Sequence, residues 1–103
     1  MEDNFVFTLA DNIRNVLSTT IKNNKMKNFD YDCDITNNGI ELQLFDYGNN
    51  AEIKYELTKE DFFFASLRVD KSKGDPYKQI AFIISGKAFS DLMKNCVRSL
   101  KNK

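Results

Sequence analysis

The sequence contains no histidine, two cysteines, one proline and four glycines among its 103 residues. Without histidine, the commonest general base and metal ligand is missing, and every histidine-dependent triad or dyad is excluded. Two cysteines are too few for a disulfide scaffold and, without histidine, cannot form the usual zinc clusters. The glycines stand apart at positions 39, 48, 74 and 86, so no glycine-rich nucleotide-binding loop is formed. We therefore expect a protein that is not an enzyme and that holds no cofactor and no metal.

Long apolar segments are also missing. The longest apolar runs, residues 62–65 and 80–84, are far shorter than the ~20 residues needed to cross a bilayer. The N-terminus begins Met1-Glu2-Asp3-Asn4, which is acidic where a secretory signal would be basic. These features predict a soluble, cytoplasmic protein without membrane contact.

The composition is that of one small globular unit. A hydrophobic fraction of 42%, with nine Phe and four Tyr, is too high for a disordered segment, and 103 residues allow a single domain, residues 1–103. Lysine outnumbers arginine 12 to 3 and there are 12 asparagines, a balance typical of AT-rich coding sequence. The balance favours a low-GC bacterium, or one of its phages or other mobile elements, as the source.

Two segments show the three- and four-residue apolar spacing of amphipathic helices. The first extends from about Asn4 to Asn24 and begins either at a cap on Asp3 or Asn4 or at a capping box of Thr8 and Asp11. The second is predicted to begin at a Ser85 cap. Its apolar stripe consists of Phe89, Leu92, Met93, Cys96, Val97 and Leu100.

Strict alternation of apolar and polar residues between positions 29 and 57 predicts three strands with one wet face. Asn38-Gly39 suits a type I′ hairpin turn, and Gly48-Asn49 can serve similarly. With these turns, Ile35 pairs with Leu42 and Leu42 with Tyr55 on the apolar face. The polar face then aligns Asp34, Gln43 and Lys54.

The stretch from Thr58 to Asp70 fits two structures. Thr58 and Asp61 can form a capping box for a short helix, but residues 63, 65, 67 and 69 are apolar at the spacing of a strand. We favour a helical turn that leads into a strand. Residues 77–85 are β-branched and apolar enough for a further, central strand after the loop at 71–76.

The predicted fold is therefore a single two-layer α+β domain. An N-terminal helix precedes an antiparallel sheet of about five strands that includes the meander, and a C-terminal helix follows. Both helices cover the same face of the sheet and bury one core. Cys33 and Cys96 are expected to be small buried hydrophobes, and the flanking Asp32 and Asp34 would raise the pKa of the Cys33 thiol.

The sheet face away from the helices is predicted to be acidic. It collects Asp30, Asp32, Asp34, Glu41, Glu52 and Glu56 against a single Lys54. Phe45 points to the same side, as do Phe64 and Ile83 if the fourth and fifth strands pair. The three aspartates of the first strand fit a solvated face, a protein-binding face or a metal site, but a straight strand splays carboxylates too far apart for good metal coordination. Cover by a loop or terminal segment is the alternative to a free face.

Charge is divided unevenly along the chain. Residues 1–61 carry a net charge of −6 and residues 62–103 carry +6. The last helix places basic residues on one arc, interrupted by Asp91: Lys87, Lys94, Arg98 and Lys101. With Lys71, Lys73 and Lys78 they could attract phosphates, although lysine-rich faces are ordinary on terminal helices.

We therefore predict a small non-catalytic binding module, an inhibitor or adaptor encoded by a phage or other mobile element. Its partner would be a larger protein with a basic surface, such as a nucleic-acid-handling enzyme, bound by an acidic and aromatic sheet face. The partner-binding residues would be Asp30, Asp32, Asp34, Glu41, Phe45, Glu52, Glu56 and Phe64. One alternative is direct nucleic-acid binding by the basic half of the chain. Another is a homodimer in which two sheet faces or two edges pack together.

Overall fold

The computed structural model describes the backbone of residues 3–101 and the side chains of residues 5–95. Three strands form an antiparallel sheet in the order β1-β2-β3, and helices precede and follow it. In chain order the elements are α1 (Asp3–Asn23), β1 (Phe29–Ile35), β2 (Gly39–Asp46), β3 (Ala51–Thr58), α2 (Lys59–Ser66), a 3₁₀ turn (Lys71–Lys73) and α3 (Pro76–Lys101).

Helix α1 confirms the first predicted helix, and because the described residues are helical from Asp3 onward, Thr8 lies inside the helix rather than at a capping box. The predicted apolar stripe faces inward: Leu9, Ile13 and Leu17 are completely buried. Phe5 and Ile21, nearer the two ends, are half-buried. Burial of one stripe, rather than local propensity, holds such a helix in place.

The three-stranded meander is confirmed, with one of its two predicted registers. Leu42 lies opposite Tyr55 in β3, as predicted. In the first hairpin Ile35 lies opposite Ile40 rather than Leu42. The turn is Asn37-Asn38, closed by reciprocal backbone hydrogen bonds between Thr36 and Gly39 of 2.9 and 3.4 Å. The difference is two residues, so every side chain stays on the predicted face.

The second turn is centred on Gly48-Asn49, as predicted, but it is not the predicted two-residue turn with both of these residues at positive φ. Asn50 has φ 52°, and the Asn50 N–H donates to the Tyr47 carbonyl at 3.4 Å. Asparagine tolerates this conformation better than most residues, because its short side chain can bond locally. A four-residue turn with its last residue in the left-handed region preserves the predicted strand pairing.

The predicted fourth and fifth strands are wrong, because both segments are helical. The capping box is confirmed: Thr58 and Asp61 each bond the other's backbone N–H and start α2. Phe62 and Ala65, three residues apart, are buried in α2. Phe63, Phe64 and Leu67 are each at least 60% exposed, so the apparent alternation at 63–69 did not reflect a buried strand face.

Helix α3 takes in both the predicted fifth strand and the predicted last helix. It begins at Pro76, a favoured first helical residue, and the Asp75 carboxylate accepts the Tyr77 N–H at 2.9 Å. Ser85, predicted as a cap, lies buried inside this helix. Its neighbours repeat at helical spacing from Ile80 onward, and a run of five apolar residues cannot distinguish a buried strand from a buried helix.

The helices cover one face of the sheet. Helix α1 packs mainly on β1 and helix α3 on β3 and β2, while α1 and α3 also pack against each other. The core contains Val6, Leu9, Ala10, Ile13, Val16, Leu17, Cys33, Ile40, Leu42, Leu44, Ile53, Phe62, Ala65, Ile80, Ala81, Ile84, Ala88 and Leu92. This is a two-layer α+β domain, with three strands in place of the predicted five. Within the described residues, no helix is long and apolar enough to cross a membrane.

Replacement of Gly39 by alanine is expected to destabilise the domain by at least ~2 kcal/mol. Gly39 has φ 153°, and an added Cβ would lie 2.0 Å from the Leu57 carbonyl oxygen of β3, so the sheet would have to open. Urea unfolding of Gly39→Ala, with Gly86→Ala as the control, measures the effect, since an added Cβ at Gly86 meets no atom within 4 Å. Equal stabilities for the two variants would contradict the tight contact at the first hairpin.

Candidate protein-binding face

The sheet surface opposite the helices, here called the acidic face, presents nine side chains from three strands. Alternation along each strand places them on the same side, and the observed registers align them in three rows. Across β1, β2 and β3 the rows are Asp30–Phe45–Glu52, Asp32–Gln43–Lys54 and Asp34–Glu41–Glu56. The helices pack on the opposite face, and α3 approaches this surface only at the β3 edge, where Lys94 lines a groove with Glu52 and Lys54.

Six of the nine side chains are carboxylates. Neighbours within a row have Cβ atoms roughly 4.5–5.5 Å apart, and successive rows are roughly 6.5–7 Å apart. Asp30, Asp32, Asp34, Glu52 and Glu56 are exposed, and Glu41, on the central strand, is half-buried by its neighbours. The row Asp34–Glu41–Glu56 therefore holds three like charges side by side.

Lys54 is the single cation among the nine. Its ammonium lies 3.3 Å from the Glu41 carboxylate, and about half of the Lys54 side chain remains exposed. An ion pair this exposed contributes little stability, since water and salt screen it. With six carboxylates and one ammonium, the acidic face carries five net negative charges at neutral pH.

Two aromatic rings mark the end of the acidic face nearest the second turn. The rings of Phe45 and Tyr47 stack with centroids 5.6 Å apart and planes 5° from parallel. Tyr47 is 64% exposed and Phe45 is half-buried. A shallow depression of about 340 Å³ lies beside them, lined by Phe45, Asp46, Tyr47, Asn50, Ala51 and Glu52. Tyr47 is not among the residues predicted for this surface, although an aromatic residue in a predicted turn is a signal that could have identified it.

Asp46 holds this turn in shape. Its carboxylate is buried and accepts the Asn49 backbone N–H at 3.2 Å and the Asn49 side-chain amide at 2.7 Å. The Tyr47 N–H donates to the Asn28 carbonyl at 2.8 Å, which ties the turn to the residue before β1. The two rings are thus carried on a braced turn rather than on a loose loop.

Phe64 and Ile83 do not lie on the acidic face, which corrects their predicted positions. With the fourth and fifth strands replaced by helices, Phe64 projects from α2 and Ile83 from α3. Both line a small groove of about 200 Å³ together with Leu57, whose side chain is on the helix-covered side of β3. Seven of the eight predicted partner-binding residues therefore share the acidic face, and Phe64 belongs to a different surface.

Lys87 and Lys94 of the predicted basic arc lie beside β3. Lys87 lies over the Tyr55 ring, 5.9 Å from its centroid, and Lys94 lines an open groove with Glu52, Lys54 and Asp91. Asp91 accepts a hydrogen bond from the Tyr55 hydroxyl. Burial, and then this bond to the Asp91 carboxylate, raise the pKa of Tyr55. The basic side chains are thus interleaved with acidic ones. The side chains of Arg98 and Lys101 lie outside the described residues.

Cys33 is buried, as predicted, on the helix-covered side of β1. Burial is the main cause that raises the pKa of its thiol to about 11, while the nearby Arg14 lowers it and Asp34 and Asp11 raise it further. The flanking Asp32, which the sequence suggested as a cause, is not among these. A buried protonated thiol is a poor nucleophile, so Cys33 serves the core.

The described residues contain no group of three or more Cys, Asp or Glu side chains arranged to hold a metal ion. Comparisons of this chain with protein-family models, with curated proteins and with solved structures found no match.

The thiol of Cys33 is expected to react slowly with Ellman's reagent at pH 8 in the folded protein. A thiol with a pKa of about 11 has roughly 100-fold less thiolate than one with the ordinary value of 9, and burial blocks the reagent as well. A Cys96→Ala variant isolates the signal of Cys33, and the same variant in denaturant is the control. Equally fast labelling with and without denaturant would show that Cys33 is accessible.

Proposed function

We propose that this protein is a small non-catalytic binding module that uses the acidic face to engage a basic surface of a larger protein. The observation that carries the proposal is the uncovered row Asp34–Glu41–Glu56, with further carboxylates at Asp30, Asp32 and Glu52 on the same face. Five net negative charges on a surface three strands wide attract cationic partners and speed encounter with them.

The stability of the sheet does not require this arrangement. Like charges directly opposite each other on neighbouring strands are destabilising, and the Asp34–Glu41 and Glu41–Glu56 pairs are both of this kind. Alternating acidic and basic residues would give a more stable solvated surface. A binding function explains why the chain tolerates the repulsion, because a basic partner would relieve it.

The stacked Phe45 and Tyr47 rings supply the apolar part of the proposed interface. Interfaces commonly combine a few aromatic anchors, which slow dissociation, with a charged surround, which steers association. The rings stand beside Asp30 and Glu52, so a partner that pairs with the carboxylates would also contact the exposed Tyr47.

A nucleic-acid-handling enzyme is the class of partner that fits best. Such enzymes carry basic channels that bind a regular array of phosphates, and the acidic face presents carboxylates in regular rows. The module would then act as an inhibitor or adaptor by occupying the channel in place of nucleic acid. This role also fits a source in a phage or other mobile element.

The test compares two double variants of equal charge change. Asp32→Lys/Asp34→Lys alters the acidic face at two exposed residues without hydrogen-bonding roles, whereas Asp11→Lys/Glu60→Lys alters helices α1 and α2, where Asp11 forms only an exposed ion pair with Arg14 that contributes little stability. A short oligolysine peptide, which is a minimal basic probe, is titrated into each protein. Binding is followed by the shifts of the protein's backbone amide signals in NMR spectra. We expect wild type and the helix variant to show shifts on β1, β2 and β3, and the face variant to bind at least ~10-fold more weakly.

Capture from a lysate of the source organism extends the test to the natural partner. A protein retained by wild type and by the helix variant, lost with the face variant, and released by moderate salt would support the proposal. Equal capture by both variants would contradict it. Retention of nucleic acid that is lost in Lys94→Glu/Arg98→Glu would instead favour direct nucleic-acid binding by the basic arc.

A further inference from the structure

The two edge strands of the sheet, β1 and β3, differ in how many of their outward N–H and C=O groups already have hydrogen-bond partners. Thr36 and Gly39 exchange two backbone hydrogen bonds, so the even-numbered residues of β1 direct their N–H and C=O groups toward β2. The odd-numbered residues of β1 direct these groups away from the sheet, and by the same alternation so do the even-numbered residues of β3. On β1, the Phe29 N–H bonds Met26, the Tyr31 N–H bonds the Asp30 carboxylate, and Arg14 donates twice to the Cys33 carbonyl. The β1 edge is therefore blocked at intervals along its length.

The β3 edge is closed only at its ends. At one end, the Asn95 side-chain amide donates to the Glu52 carbonyl at 3.3 Å. At the other, the Thr58 N–H donates to the Asp61 carboxylate at 2.8 Å. Between them, the outward N–H and C=O groups of Lys54 and Glu56 have no hydrogen-bond partner among the described residues. An open groove of about 420 Å³ lies beside β3, between Glu52, Lys54 and α3.

We propose that two copies of this chain pair antiparallel through β3, about a two-fold axis at Tyr55, to form a continuous six-stranded sheet. In this register Lys54 lies opposite Glu56 of the second copy, and Glu56 opposite Lys54 of the second copy. Each pair exchanges two backbone hydrogen bonds, so the open groups of both residues are all used. The two charged pairs, one at each side of the axis, are also opposite in sign and directly cross-strand.

Charge selects this register over its neighbours. A shift by two residues in one direction brings Lys54 against Lys54 of the second copy, and a shift in the other direction brings Glu56 against Glu56. Both alternatives place like charges directly opposite each other, which is destabilising. On the helix-covered side, the proposed register brings Ile53 opposite Leu57 of the second copy and the two Tyr55 rings together, which adds apolar contact at the seam.

A second copy accounts for the open edge better than an unrelated strand does. The open backbone groups belong to two residues of opposite charge, Lys54 and Glu56, on either side of Tyr55. The same segment of a second copy is therefore complementary to it, as an isologous contact requires. The two-fold axis is perpendicular to the sheet, so both acidic faces would lie on the same side. The pairing uses Lys54 and Glu56, which also belong to the acidic face, but it does not require that face to bind a basic protein.

Sedimentation equilibrium on four proteins tests the pairing: wild type, Lys54→Glu, Glu56→Lys and the double variant Lys54→Glu/Glu56→Lys. We expect wild type to dimerise reversibly, each single variant to dimerise at least ~10-fold more weakly, and the double variant to regain most of the loss. The double variant keeps the net charge of wild type and retains opposite charges across the seam. A monomeric wild type at millimolar concentration, or no rescue in the double variant, would overturn the proposal.

A backbone variant separates pairing from folding. In Glu56→Pro the lost N–H is one that points away from β2, so the ladder within the chain is retained while two bonds of the dimer are removed. We expect a folded monomer with a wild-type circular dichroism spectrum. A folded dimer in Glu56→Pro would contradict pairing through β3. If this variant unfolds, the charge-swap series still decides the question.

Discussion

Burial of a single face of the meander is the constraint on which the rest of this structure depends. Three strands with one apolar face would expose that face to water, and its burial is the main favourable contribution to folding. Helices α1 and α3 cover it, with Leu42 and Leu44 of the central strand completely buried beneath them. Because side chains alternate along a strand, the choice of the covered face also determines which residues remain in water. The acidic face is thus a direct consequence of the core.

The same constraint explains which parts of the fold could be predicted from sequence. Period-two alternation identified the meander and assigned each side chain to its face, and a two-residue error in the first hairpin left these assignments intact. The capping box of Thr58 and Asp61 could be predicted because the two residues are only three positions apart in the sequence. The face of Asp32 and Phe45 was predictable for the same reason, since only the parity of their positions mattered.

The second half of the chain was harder because its signals were ambiguous. Residues 80–84 are apolar throughout, and such a run fits a buried strand and a buried helix equally well. The deciding information lay in the segment before it, where Asp75 and Pro76 start a helix that continues past Ser85. The misplacement of Ile83 follows from this error, and that of Phe64 follows from the strand expected at residues 63–69, where helix α2 extends to Ser66. Contacts between distant segments, such as Lys87 with Tyr55 and Arg14 with Cys33, have no local signature and could not have been read from the sequence.

The central claim is that the exposed carboxylates of Asp32 and Asp34 on the acidic face, which have no hydrogen-bond partner among the described residues, become covered when a basic partner binds. Carbodiimide labelling of carboxyl groups, read out residue by residue by mass spectrometry, tests it most directly. We expect fast labelling of Asp32 and Asp34 in the free protein and strong protection in the complex, with Glu60 of α2 labelled equally in both. Slow labelling of these residues in the free protein, or unchanged labelling in the complex, would contradict it.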